Sequence, residues 1–143
     1  MPADWTTLRY CDGYTLRTPT IGGRVEMTLF RDGQVRVSNL PAYRRTPQAF
    51  EARAAPWVIE GITAELSEAG FPGLPVHTLP VGVRVTLLSL ATRDYIAQVW
   101  VSRKHRLERP PLHRAMQMLE AIAYAASHGS LGECGAFERS LLA

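Results

Sequence analysis

Twice along this chain, hydrophobic residues spaced at strand period give way to hydrophobic residues spaced at helical period, and that order limits the fold more than any other feature. In Arg24-Val25-Glu26-Met27-Thr28-Leu29-Phe30-Arg31, the apolar Val25, Met27 and Leu29 alternate with Glu26 and Thr28. Such alternation puts one apolar face on a strand. Asp32-Gly33 follows, a dipeptide suited to the positive φ angles of a two-residue type I′ turn, and Gln34-Val35-Arg36-Val37-Ser38 resumes the alternation. A hairpin is predicted here. Beyond it, Leu40–Pro47 is a connection whose Thr46-Pro47 end predicts a short helical turn. The principal helix starts near Pro56 and carries Val58, Ile59, Ile62 and Leu66 as its buried stripe, with Glu60, Glu65 and Glu68 facing water. Gly70 supplies the left-handed residue that ends it, and Phe71-Pro72 folds back over the last turn.

The second round begins after a proline-rich loop over 71–80. Val83, Val85, Leu87 and Ser89 share one face of a strand, Ala91-Thr92-Arg93-Asp94 forms a turn, and Tyr95–Val101 forms a second strand rich in β-branched and aromatic residues. After Pro110-Pro111, the residues Leu112, Ala115, Met116, Leu119, Ile122, Ala123 and Ala126 recur with helical spacing. The resulting reading is α+β: an antiparallel sheet of about four strands in two hairpins, with two principal helices on one face, in the order ββαββα. With 143 residues this is one domain. Its core spans 24–129, residues 1–23 are an N-terminal extension in which Trp5–Tyr14 adds a short strand or covers an edge, and 130–143 is a tail or a short helix around Phe137–Leu142.

Charge is uneven. Of 16 cationic residues only Lys104 is lysine, a bias that a GC-rich genome produces without functional cause. Guanidinium groups nevertheless bind carboxylates and phosphates in a bidentate way that ammonium groups cannot. Residues 82–114 hold seven cations against Asp94 and Glu108, and the stretch Arg103-Lys104-His105-Arg106-Leu107-Glu108-Arg109 lies between two mildly acidic regions. Two readings compete there: a solvated loop, and a phosphate-binding segment running through Arg114 with Trp100 as a stacking plane. Tyr43, Arg44, Arg45, Trp100, Arg103, Lys104, Arg106 and Arg109 are the candidate binding residues, because aromatic residues and Arg are enriched in binding hot spots.

Signatures of chemistry are absent. The sequence has no G-x-S-x-G elbow, no phosphate-binding P-loop and no H-E-x-x-H helix. His77, His105, His113 and His128 form no close pair of the sort zinc requires, and His128 reads as a helix C-terminal residue. Neither a metal nor a cofactor is expected. Cys11 and Cys134 read as buried, reduced thiols rather than a nucleophile or a disulfide. With no secretory signal and no membrane-spanning stretch, the expected location is the cytoplasm.

The layout resembles the small bacterial proteins typified by emfourin, the protein inhibitor of protealysin-type metalloproteases. The resemblance rests on Val25-Glu26-Met27-Thr28-Leu29-Phe30 with Asp32-Gly33, on Leu66-x-x-Ala69-Gly70-Phe71-Pro72-Gly73-Leu74-Pro75, and on a second hairpin followed by Pro111-Leu112 at the last helix. It covers roughly residues 24–128, and what it implies is the ββαββα plan and a role without catalysis. The segments 1–23 and 40–55 depart from the pattern, and no inhibitory contact residue carries over. The functional expectation is therefore a non-enzymatic protein-binding module, an inhibitor or immunity-type protein whose partner is an enzyme or toxin. A nucleic-acid or anionic-ligand binder using 103–114 is the first alternative, and a small enzyme of unfamiliar type is the second.

Overall fold

The segment that sequence reading sets apart as an extension lies in the middle of the sheet. The computed structural model describes residues 1–15, 23–42, 46–75, 79, 81–127, 131 and 134–143. Its strands are β1 (Trp5–Thr15), β2 (Arg24–Phe30), β3 (Gln34–Leu40), β4 (Gln48–Arg53), β5 (Arg84–Thr92) and β6 (Ile96–Ser102). They form one sheet in the order β4-β3-β2-β1-β5-β6, every neighbouring pair antiparallel. The four-strand expectation is thus corrected to six. β1 was the harder strand to see because Leu8 and Tyr10 are its only well-spaced apolar pair before Asp12-Gly13 interrupts the alternation. β4 replaces the helical turn expected after Thr46-Pro47; proline precedes a strand as readily as it opens a helix, and Gln48–Arg53 finds an open edge on β3.

Register turns the alternation into rows. On one face, Ala52, Val35, Leu29, Leu8, Leu90 and Ala97 stand side by side across all six strands, and Phe50, Val37, Met27, Tyr10, Leu88 and Val99 form the next row. Most of these are buried, and α1 (Pro56–Ala69) and α3 (Pro110–Ala126) complete the core over them. In β5 it is therefore Leu88 and Leu90 that join this core, while Val85, Leu87 and Ser89 lie on the other face. The buried set of α3 includes every residue of its predicted stripe.

Local signals fix the element ends. Gly70 at φ 90° closes α1, with the Gly70 amide bonded to Ser67 O and the Phe71 amide to Leu66 O, and Phe71 is buried against the core. In the first hairpin the loop is three residues, Arg31–Gly33, rather than the expected two. The Gly33 amide bonds to Phe30 O and Gly33 takes φ 100°, while Asp32 Oδ1 accepts the Gln34 amide. This is the geometry of a turn followed by a left-handed bulge residue, the next commonest hairpin connection. Two further helices complete the chain: α2 (Arg103–Glu108) and α4 (Ala136–Ser140). After α4, Leu141 is buried, Leu142 bridges Ala54, and the Ala143 amide bonds to Arg53 O. Of the two readings of the C-terminal segment the short helix holds, as α4, and the residues after it are sewn to the end of β4.

Leu119 of α3 and Leu8 of β1 are both buried in this core. Leu119→Ala should cost about 2–5 kcal/mol in urea unfolding. Removal of residues 1–15 should leave a chain without a cooperative transition in circular dichroism; a truncated chain that still unfolds cooperatively would show that β1 is dispensable.

Candidate binding surfaces

The basic stretch is a helix and not the solvated loop that composition favoured. Ser102 caps α2 by accepting the His105 amide on its hydroxyl at 3.3 Å, and Pro110-Pro111 then open α3. That break turns the cations of the stretch in different directions. Arg106 points inward with its side chain 15% exposed; its Nε donates to His113 Nδ1 at 2.9 Å and its guanidinium pairs with Glu120. Arg109 donates to Ala69 O at 3.0 Å, satisfying a carbonyl at the end of α1. Arg114 grips Glu65 through Nε at 3.1 and 3.0 Å, tying α3 to α1. Among the described residues Lys104 makes only a solvated pair with Glu108 at 4.0 Å, worth about a few tenths of a kcal/mol. Arg103 is exposed and has no ion pair among the described residues. Of the five cations offered for phosphate contact, three are thus occupied in holding helices together. Tyr43, Arg44 and Arg45 lie outside the described residues, as do His77 and His128.

The sheet face away from the helices has a different chemistry. Along it Arg9 lies beside Glu26 at 3.7 Å, Arg36 beside Glu51 at 3.6 Å, and Arg36 also covers the Phe30 ring. Tyr14 donates to Glu26 at 2.6 Å and meets Trp100 edge to face, ring centres 5.9 Å apart. Cys11 sits in this face between Glu26 and Leu87, buried, and that burial raises its thiol pKa. A protonated, inaccessible thiol is a poor nucleophile. Cys134 is also free, and contrary to expectation it is only partly buried. Among the described residues no three His, Cys, Asp or Glu side chains gather as metal ligands, and no helix is long and apolar enough to cross a membrane.

The two sheet edges differ sharply. β4 alternates Glu51 and Arg53 outward, and Ala143 covers its end, which are the usual ways of blunting an edge. β6 contains no charged residue, yet among the described residues it pairs on one side only. At its start Tyr95 is 50% exposed and Ile96 68%, and Trp100 is 36% exposed on the helix-free face. A groove of about 480 Å³ runs along this edge, with Val99 and Trp100 on one wall and Leu74, Pro75 and Pro111 among its other lining residues. Trp100 was anticipated from its residue type; Ile96 was not, because only the sheet order makes β6 an edge.

A second concavity, about 560 Å³, lies on the helix-covered side and shares Val101 with the edge groove. Its floor continues the core rows with one more: Val25, Asp12, Thr86 and Val101. Thr86 donates to Asp12 at 2.9 Å, Arg84 approaches the same carboxylate at 3.7 Å, and the Arg106–Glu120 pair forms part of the far wall with Tyr124. Tyr10 closes the bottom at 3% exposure, and burial, reinforced by Asp12 and Glu120, pushes its phenol far above the usual range. Asp12, Thr86 and Glu120 gave no signal in the sequence, since their meeting depends on strand register and on the facing of α3. No protein-family model matches the chain, and no curated protein matches it.

Two measurements follow from this division of labour. Arg106→Leu, which strands Glu120 and His113, should lower stability by about 1–3 kcal/mol, whereas Lys104→Ala should change it by less than about 0.5; equal effects in urea titration would contradict the assignment. Because the Tyr10 phenol is raised in the folded state, its contribution is intact below the unfolded value near pH 10 and is lost as pH climbs above it. Tyr10→Phe should therefore flatten the alkaline fall of stability and leave the neutral region's slope unchanged, as read from thermal midpoints between pH 7 and 11.

Proposed function

We propose that this protein is a non-catalytic binding module of the inhibitor or immunity type, and that its partner docks along β6 and the helix-free face beside it. The observation that carries the reading is the unblunted edge: an uncharged, one-sided strand with Ile96, Tyr95 and Trp100 exposed, next to an edge groove. Unpaired backbone amides and carbonyls on such a strand are matched best by another extended backbone, and alternate side chains of an added strand would enter the groove. The opposite edge is charged and covered, so the exposure of β6 is not a general trait of this sheet. On β1 and β2 the Arg9–Glu26 pair bounds this face on the side away from β6 with charged groups, as polar residues bound the apolar part of protein interfaces. The resemblance to emfourin-like inhibitors supports the same class, and makes a protealysin-type metalloprotease the first target to assay.

The engagement of Arg106, Arg109 and Arg114 by Glu120, Ala69 O and Glu65 weighs against the nucleic-acid alternative, because those groups would have to leave protein partners to reach phosphates. A gel-shift at low salt is the simple check on that point.

The decisive experiment titrates a protealysin-type metalloprotease, and separately any protein co-purifying in stoichiometric amount from the native cell, with wild type, Ile96→Lys and Lys104→Ala. Expected is loss of the partner's activity at a one-to-one ratio for wild type and Lys104→Ala, with affinity for Ile96→Lys weaker by about tenfold or more. Undiminished partner activity in excess protein would remove the inhibitor reading, and equal potency of Ile96→Lys would move the interface elsewhere.

A further inference from the structure

The cleft one row beyond Tyr10 on the helix-covered side breaks the rule that the rest of that face obeys. Two successive rows there are apolar; the third puts a carboxylate and a hydroxyl, Asp12 and Thr86, where the pattern calls for core residues. Departures of this kind are costly in a core and are tolerated where a site needs them. The backbone is specialised at the same place. Pairing of β1 with β5 shifts register between Asp12 and Tyr14, and Gly13 takes φ 103°, where an added Cβ would lie 2.4 Å from Gly23 O. Only glycine fits, and such bulges recur beside binding sites because they re-aim neighbouring side chains.

The charge pattern selects the ligand. Each lining acid already has an arginine: Asp12 has Arg84, and Glu120 has Arg106. Arg103 lines the same cleft with no ion pair among the described residues, so the described lining residues carry one positive charge more than their acids balance. Tyr10, held protonated by its burial, and Tyr124 add phenol groups, while Val25, Val101 and Ala123 supply apolar wall. A volume of about 560 Å³ suits a small molecule and not a folded partner.

We infer that this cleft binds a small organic carboxylate with an apolar body, its anionic end on Arg103 and its body against Val25, Val101 and Ala123. The site takes Val101 of β6 as part of its wall but does not include Tyr95, Ile96 or Trp100, and it does not depend on the protein-binding role proposed above. A guanidinium is the natural partner for a carboxylate, through two parallel charge-assisted bonds. The phenols can donate to the same anion, and the paired acids on the walls disfavour a second negative charge on the ligand.

Sodium octanoate is the probe. Titrated into the full chain and followed by amide NMR and calorimetry, it should bind saturably, with shifts concentrated at Tyr10, Asp12, Thr86 and Tyr124. Arg103→Glu, at an exposed position that leaves the fold intact, should weaken binding by about tenfold or more, and Tyr10→Phe by several-fold. Butanoate should bind more weakly than octanoate because it lacks most of the apolar body. Ile96→Lys should bind octanoate like wild type, which separates this site from the β6 interface. Shifts scattered over the surface, equal binding by octylammonium, or undiminished binding by Arg103→Glu would each overturn the assignment.

Discussion

Hydrogen-bonding β1 along both of its edges is the constraint on which the remaining structure rests. A strand in the middle of a sheet has every backbone donor and acceptor in reach of a neighbour, and β1 joins the β2-β3-β4 half to the β5-β6 half. Without it there would be two small ribbons, each with a hydrophobic face and no common floor on which α1 and α3 could pack. The rows of core residues exist because β1 holds Leu8 and Tyr10 level with Leu29 and Met27 on one side and with Leu90 and Leu88 on the other.

The same strand organises both candidate sites. On the helix-free face it places Arg9, Cys11 and Tyr14 between the charged pairs and Trp100. On the covered face it runs from the dry core at Leu8 to the polar cleft at Asp12 within a few residues, and the bulge at Gly13 ends the regular pairing there. The helices follow this gradient. Burial in α3 runs through Leu119 and Ile122, whereas Glu120 and Tyr124 turn towards the cleft. Arg106, Arg109 and Arg114 then act as cross-braces between α2, α3, α1 and the cleft wall, so a stretch that looks like a cationic patch is spent largely on internal connections.

Particular residues mark how far the sequence could be read. The stripe of α3, that of α1 apart from the partly buried Ile59, the Gly70 terminus and the β2-β3 and β5-β6 hairpins were legible, because each is set by neighbours within one or two turns of helix or one strand length. β4 was not, since Gln48–Arg53 is polar and becomes a strand only by adding to the edge that β3 offers. The Asp32-Gly33 hairpin was recognised but its loop was one residue longer than its dipeptide suggested, because the register of Leu29 against Val35 decides the loop length. Trp100, Arg103, Lys104, Arg106 and Arg109 were all nominated by type; the fold left Trp100 and Arg103 open to binding, gave Lys104 a solvated partner, and used Arg106 and Arg109 structurally.

By itself, then, the sequence determined an α+β domain with its helices on one side of an antiparallel sheet, since hydrophobic period is a local property that survives without knowledge of the partner. Tertiary structure alone decided that β1 is central, that β6 is an open uncharged edge, and that Asp12, Thr86, Arg103 and Glu120 line one cleft. Those outcomes depend on register and strand order, which are set by contacts between residues far apart in the chain.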